Sequence, residues 1–398
     1  MNLNRFIPAV AATILLTATS AQAQDKKESN TPEYQFTTVK EVPISSIKNQ
    51  FRSGTCWSYS GIGFIESEIM RIKGYKDVDL SEMFIVRNSY HDRAVKYVRL
   101  DGDLRFGAGS SCEDVLTVIQ NYGIIPDNIY KGLNYGTDMP EQSELDAVLA
   151  AYVKAVASNP NRTLTTAWLN GFDGILDAYM GKIPQEFEVN GVKYTPESYR
   201  DYLGINADDY VSITSYTHHP YYKEFVLEIG DNWRWDASYN VPLDEMMEIM
   251  YNAINNGYTI AWGTDVSEKG FTRDGLGIIA EVDKPSAGSD QERWVGKAAE
   301  QKKETLTADD VKITAEMRQD GYDRKTTTDD HGMQIYGLAK DQNGHDFFIV
   351  KNSWGETGKY NGIWYVSDAF VRYKTMNILV HKDALPKDIK KEIGRAHV

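Results

Sequence analysis

Gln50-Phe-Arg-Ser-Gly-Thr-Cys56-Trp57-Ser58 sets an amide six residues before a cysteine, and the residues that follow read as a helix. Ile62, Ile65, Ile69 and Ile72 recur at helical spacing after it, so Cys56 is expected at a helix N-terminus. A thiol near its ordinary pKa is mostly protonated at neutral pH, and the positive end of a helix favours the thiolate that acts as nucleophile. Near the other end stand His331-Gly332 and Lys351-Asn352-Ser353-Trp354-Gly355. His331 supplies a base, and an imidazolium there would lower the thiol further. Asn352 supplies an acceptor for the far imidazole nitrogen, the orienting role of a third group in triads. Trp354 is placed to cover that bond from water. Gln50 supplies a side-chain N–H, with the backbone N–H of Cys56, for a developing oxyanion, worth roughly 3 kcal/mol per donor. The constellation is that of thiolate acyl transfer.

In order and local sequence, Gln50 to Trp57, Leu80-Ser81-Glu82, His331-Gly332 and Lys351 to Gly355 resemble the papain-like cysteine peptidases. The resemblance implies Gln50 as oxyanion donor, Cys56 as nucleophile, His331 as base, Asn352 as orienting group, and Trp57 and Trp354 as supporting residues. Two departures refine it. Ser53 stands where that family has a disulfide cysteine, and His331 lies 275 residues after Cys56, against about 130–150 in the papain group. Both are similar to the bleomycin hydrolase and aminopeptidase C branch, as are Gln120 to Pro126, Tyr194 to Gly204 and Ala261 to Val266. The implied fold is α+β, a helical half bearing Cys56 and an antiparallel β half bearing His331, with the site in the cleft between them. A large helical insertion is expected at 132–239 within a peptidase domain at 34–390. The implied activity is aminopeptidase action on peptides, because relatives lay a C-terminal arm in the cleft and anchor the substrate's amino group. They also form hexamers, so a homo-oligomer is expected. The alternatives are an open-cleft endopeptidase or dipeptidase, and a silent peptide-binding protein.

Arg5, the apolar run from Phe6 to Leu16 and Ala21-Gln22-Ala23 read as a secretory signal at 1–23 with cleavage after Ala23, followed by a polar flexible leader at 24–33. Export to the periplasm or beyond is expected, with no membrane anchor. The net charge is −14 over 398 residues, and without a basic run this argues against nucleic-acid binding. Ile393-Gly-Arg-Ala-His-Val398 matches the translation of a common sequencing-adapter read, so 393–398 is expected to be an artefact and the genuine terminus unobserved.

Cys112 reads as a small buried residue on the helix Glu113 to Tyr122, since a bridge to Cys56 would silence the nucleophile. Leu145, Val148, Leu149, Tyr152 and Val156 mark one amphipathic helix, and Leu243, Met246, Met247, Met250 and Ile254 another. Thr195-Pro196 is a helix start. Trp233, Trp235 and Tyr239 read as core or interface packing, and 284–307 as an exposed loop. His218-His219 has no third ligand at useful spacing, so no metal or cofactor is expected. Asn343-Gly344 marks a hairpin between strands from His331 and Phe347. A two-residue loop would put His331 and Asn352 on one side but about 13 Å apart, so a bulge or longer loop is required. Asp329-Asp330 either raise the pKa of His331 or are ordinary loop acids.

Overall fold

The computed structural model describes residues 34–161, 163–279 and 311–395. The expected signal at 1–23, the leader at 24–33, the loop at 284–307 and residues 396–398 lie outside the described residues. The unit Gln35–Val398 carries all the elements described here.

Six helices build one core: α1 (Cys56–Lys73), α2 (Glu82–Arg99), α3 (Asp114–Tyr122), α4 (Ser143–Ala157), α5 (Ala167–Met180) and α6 (Pro196–Leu203). Helix α1 is buried from Trp57 to Met70. Ile72 is exposed, against expectation, because the last turn runs into solvent before Gly74 ends the helix in the left-handed region at φ 67°. In α4 the buried stripe is Leu145, Leu149 and Val153, narrower than the spacing predicts, and Val148 is exposed. Helix α6 starts on a capping box in which Thr195 accepts from the Ser198 N–H and Ser198 reaches back.

The second core lies around a ten-stranded sheet in the order β5 (Glu224–Val226), β6 (Ala237–Asn240), β4 (Tyr210–Thr214), β12 (Thr375–His381), β7 (Ile260–Thr264), β9 (His331–Lys340), β10 (Asp346–Lys351), β11 (Ile363–Ser367) and β8 (Leu276–Gly277), with β1 (Thr37–Glu41) on β9. Most pairs are antiparallel; β4 with β6 and β8 with β11 are parallel. Helix α7 (Leu243–Asn255) lays Met246, Met247, Met250 and Ile254 into this core beside Met333, Ile335, Phe348 and Val350. The stretch 132–239 is divided between the halves. Helices α4 to α6 and the hairpin β2 (Phe187–Val189) with β3 (Val192–Tyr194) join the helical side, while β4, β5 and β6 extend the sheet.

Strand β9 organises the sheet. Its first half pairs with β7, its second half with β1, and its other edge with β10. The connection to β10 runs through residues 341–345, and the register shifts again between Ile349 and Val350. Lys351 then pairs with Gln334, so Asn352 continues opposite a residue two positions from His331, within side-chain reach. The longer loop and the bulge together make the correction that the hairpin pattern requires.

Gly332 and Gln334 face α1. A Cβ on Gly332 would lie 3.2 Å from Trp57 Cα and 3.3 Å from Cys112 Sγ, and one on Gly63 would lie 2.9 Å from Gln334 Oε1. Gln334 Nε2 donates to the Gly63 carbonyl (2.9 Å) and to Ser67 Oγ (2.8 Å), and Ser60 Oγ donates to the Met333 carbonyl (2.5 Å). Helix and strand therefore meet nearly backbone to backbone. The C-terminal helix Lys387–Arg395 buries Ile389 and Ile393 in the sheet-side core, so Ile393 is part of the packed fold.

Candidate active site

Cys56 is the first residue of α1, and the helix end is left open. Thr55, its N-cap, makes no side-chain cap and bonds Ser53 Oγ instead (2.6 Å); no acidic residue stands in the first turn. The Cys56 N–H has no acceptor among the described residues, so this end retains free donors and its positive field. Gln50 is buried and held from both sides. Its Oε1 accepts from Ser353 Oγ (2.6 Å), its Nε2 donates to the Ser53 carbonyl (2.8 Å), and its backbone N–H donates to the Ser353 carbonyl (2.8 Å). One Nε2 hydrogen is thus occupied and the second is free, a restriction the local sequence does not reveal. The same contact ties Gln50 to the segment bearing Asn352.

His331 opens β9 and is buried. Its Nε2 lies 2.8 Å from Asn352 Oδ1, which also accepts the Ser353 N–H (2.7 Å). The Nε2–H therefore donates to Asn352, and Nδ1 is the nitrogen left to exchange a proton. The Trp354 ring lies 4.8 Å from the imidazole centroid and covers it. Trp57 donates its indole N–H to the Ala108 carbonyl (2.9 Å), fixing the loop beside Cys56. That loop is held from behind by buried Arg93 of α2, whose guanidinium donates to the carbonyls of Arg105 (2.6 and 2.9 Å), Gly107 (2.9 Å) and Gly109. Arg87 and Arg99 stand in the same helix, so the sequence alone does not single out Arg93 for this clamp.

Burial works against the expected resting ion pair. Cys56 keeps part of its surface open but sits deep in the fold, and this burial pushes its thiol up to about 12. The N–H groups of Gly332 and Trp57 oppose the rise, while Asp329 and Asp231 add to it. Burial likewise lowers His331; its bond to Asn352 and the charge of Asp330 act upward and lose. Both shifts run in the direction of the uncharged thiol and imidazole, because burial penalises charge on each. Cys112 is buried and free, within sulfur hydrogen-bond distance of Ser60 Oγ (3.6 Å).

The other sequence candidates separate from this site. Trp233 is buried and donates to Ser110 Oγ (2.6 Å), but Trp235 is 53% exposed, with Lys96 Nζ over its ring, rather than packed. His218 and His219 gain Glu228 as a neighbour, their ligand-type atoms lying within 4.8 Å of one another. The chain returning through β5 supplies this third group, which spacing along the sequence does not show. His218 Nδ1 bonds Gln319 Oε1 (3.1 Å) and its Nε2 faces Glu228 (3.4 Å), an arrangement that an ion pair satisfies.

Because burial raises the Cys56 thiol, thiolate ultraviolet absorbance attributable to Cys56, measured against Cys56→Ala, should be absent at neutral pH and appear only above the ordinary thiol value of 9.0. The acid limb of kcat/KM should fall below the ordinary histidine value of 6.5, since a lowered pKa keeps the imidazole neutral further into acid. Thiolate absorbance at neutral pH would contradict this ordering.

Comparison with known proteins agrees with the geometry. Residues 185–397 match the Peptidase C1-like family, and residues 32–136 match the papain family cysteine proteases. Aminopeptidase C of Lactococcus lactis is 20% identical over 93% of this chain and 87% of its own length. Aminopeptidase C of Listeria innocua is 22% identical over 88% of this chain and 83% of its own. Among solved structures, pepw from Lactobacillus rhamnosis superposes with a TM-score of 0.66 at 18% identity, covering 91% of this chain and 85% of that one. An open helix end under a cysteine, a histidine–asparagine bond across two strands and these matches have one reading: the chain is a papain-like cysteine peptidase and belongs to the Peptidase C1-like family.

Proposed function

We propose that the chain is an exported aminopeptidase that removes N-terminal residues from peptides through a thioester on Cys56. The observation that carries the reaction is the 2.8 Å bond between His331 Nε2 and Asn352 Oδ1, which leaves Nδ1 as the proton acceptor, beside a helix end with an unused Cys56 N–H. In the first half-reaction Cys56 Sγ attacks the scissile carbonyl carbon and its proton passes to His331 Nδ1. The oxyanion takes the Cys56 N–H and the free Nε2 hydrogen of Gln50. Collapse breaks the C–N bond, and His331 returns the proton to the leaving amine. Water then attacks the thioester with His331 as base, releasing the acyl group as a carboxylate and restoring the thiol. Exopeptidase action is favoured by relatives named Aminopeptidase C along most of the chain, and export by the signal-like first 23 residues.

Peptides with free N-termini should be cleaved one residue at a time, and their N-acetylated counterparts at least about 100-fold more slowly, a difference within the range of a lost charged contact and misplacement. Cys56→Ala should abolish both turnover and labelling by an epoxide inhibitor, and Asn352→Ala should lower kcat by about 100-fold. Equal cleavage of free and blocked peptides would reject exopeptidase action. For export, N-terminal sequencing of the processed protein should begin at Gln24; a protein that retains Met1 in the cytosol would reject it.

A further inference from the structure

The pocket that Cys56 and His331 line also receives the side chains of Asp231 and Asp329. Neither is near Cys56 in sequence, and each is held by its neighbours. Asp231 rides on a turn fixed by Asn232 Nδ2, which donates to the carbonyls of Leu227 (3.1 Å) and Asp236 (2.9 Å), and by the Trp233 indole on Ser110. Its carboxylate lies against Gly109, where a Cβ would come within 2.2 Å of Oδ2, so the missing side chain is what admits it. Asp329 sits between two anchored residues. The Thr328 N–H donates to Asp265 Oδ2 (2.9 Å), and the Asp330 carboxylate accepts the Val266 N–H (2.8 Å) and the Ser267 hydroxyl.

The charges in this pocket are poorly balanced from within the protein. Asp329 makes no hydrogen bond or ion pair among the described residues; it is half-buried and lines the pocket. The other charges acting on it are the carboxylates of Asp231, Glu113 and Asp330, and the cation Arg105. Arg105 is largely in solvent and stands 3.8 Å from Asp231, while Arg93 spends its N–H groups on loop carbonyls. Burial and these like charges push Asp329 well above the carboxylate range, and burial also raises Asp231. An entering cation with several N–H donors would relieve both groups together.

We propose that Asp231 and Asp329 bind a cationic nitrogen of the substrate beside the scissile bond, with the α-ammonium of a peptide as its source. The assignment rests on the aminopeptidase reading and supplies that reading with an anchor made by this chain's own side chains. The α-nitrogen is two bonds, about 2.5 Å, from the carbonyl carbon that Sγ attacks, so an anchor must share the nucleophile's pocket, as these two carboxylates do. The C-terminal helix Lys387–Arg395 does not line that pocket.

The test compares kcat/KM, per Cys56 titrated with epoxide inhibitor, for the full chain and its Asp231→Asn, Asp329→Asn and doubly substituted forms. One substrate pair is a neutral peptide with a free or acetylated N-terminus; the other is an N-acetylated peptide with lysine or norleucine before the cleaved bond. The preference for the free N-terminus should fall about 10- to 100-fold in the double variant, with each single variant in between. Titration per site removes losses from misfolding, and a ratio between paired substrates is not moved by a merely structural role. Loss of preference only in the lysine pair would overturn the α-ammonium as the source. Unchanged ratios in both pairs would overturn the pocket. Equal cleavage of free and acetylated peptide by the unsubstituted enzyme would reject the aminopeptidase reading instead, and the lysine pair would still decide whether the carboxylates bind a cation.

Discussion

The near backbone-to-backbone contact of α1 with β9 sets everything else in the molecule. Cys56 and His331 are 275 residues apart and stand on elements that pack into two separate hydrophobic cores, α1 in one and β9 in the other. They meet only because Gly332 lets the strand approach Trp57 Cα, and because Ser60, Gly63 and Ser67 give α1 a narrow face toward Gln334. A larger side chain on either surface would force overpacking, which costs typically 1–3 kcal/mol, and would part Cys56 from His331. Cys112 fills the remaining corner between α1, α3 and β9, which accounts for a small buried thiol there.

That close contact has an electrostatic consequence. The same burial that aligns Cys56 and His331 penalises charge on both and so opposes the positive field of the open helix end. Neighbouring groups share the condition. Glu66 of α1 is pushed up to about 7 by burial, opposed by Lys351, which precedes Asn352 and donates to Ser45 Oγ (2.8 Å), itself bonded to Glu66. This buried polar chain links α1 to the strand that delivers Asn352. The candidate site is thus a set of desolvated groups held in place by hydrogen bonds.

Much of this was legible in the sequence, where local chemistry or periodicity speaks for itself. The Thr195-Pro196 cap, the methionine stripe of α7 and the shared side of His331 and Asn352 follow from capping, helical spacing and strand parity. The size of the loop at 341–345 and the bulge at Ile349 and Val350 were required by geometry but not located by it. What remained hidden depends on contacts between distant segments. Asp231 reaches the pocket of Cys56 across the fold, Glu228 joins His218 and His219 through a returning strand, and the free hydrogen count on Gln50 is set by the Ser53 carbonyl. The burial that opposes a thiolate on Cys56 is a tertiary quantity, which the local sequence does not carry. Ile72 and Trp235 were apolar by type and lie exposed because their helix end and turn project into solvent.

The central claim is that Cys56 carries the acyl group of the substrate's N-terminal residue. Rapid acid quenching during turnover of a peptide ester with a free N-terminus, followed by mass spectrometry of the digested enzyme, observes that intermediate directly. A thioester of a single aminoacyl residue on the peptide containing Cys56 is the predicted result. An adduct on Cys112, an acyl group longer than the first residue, or turnover without any adduct would contradict it.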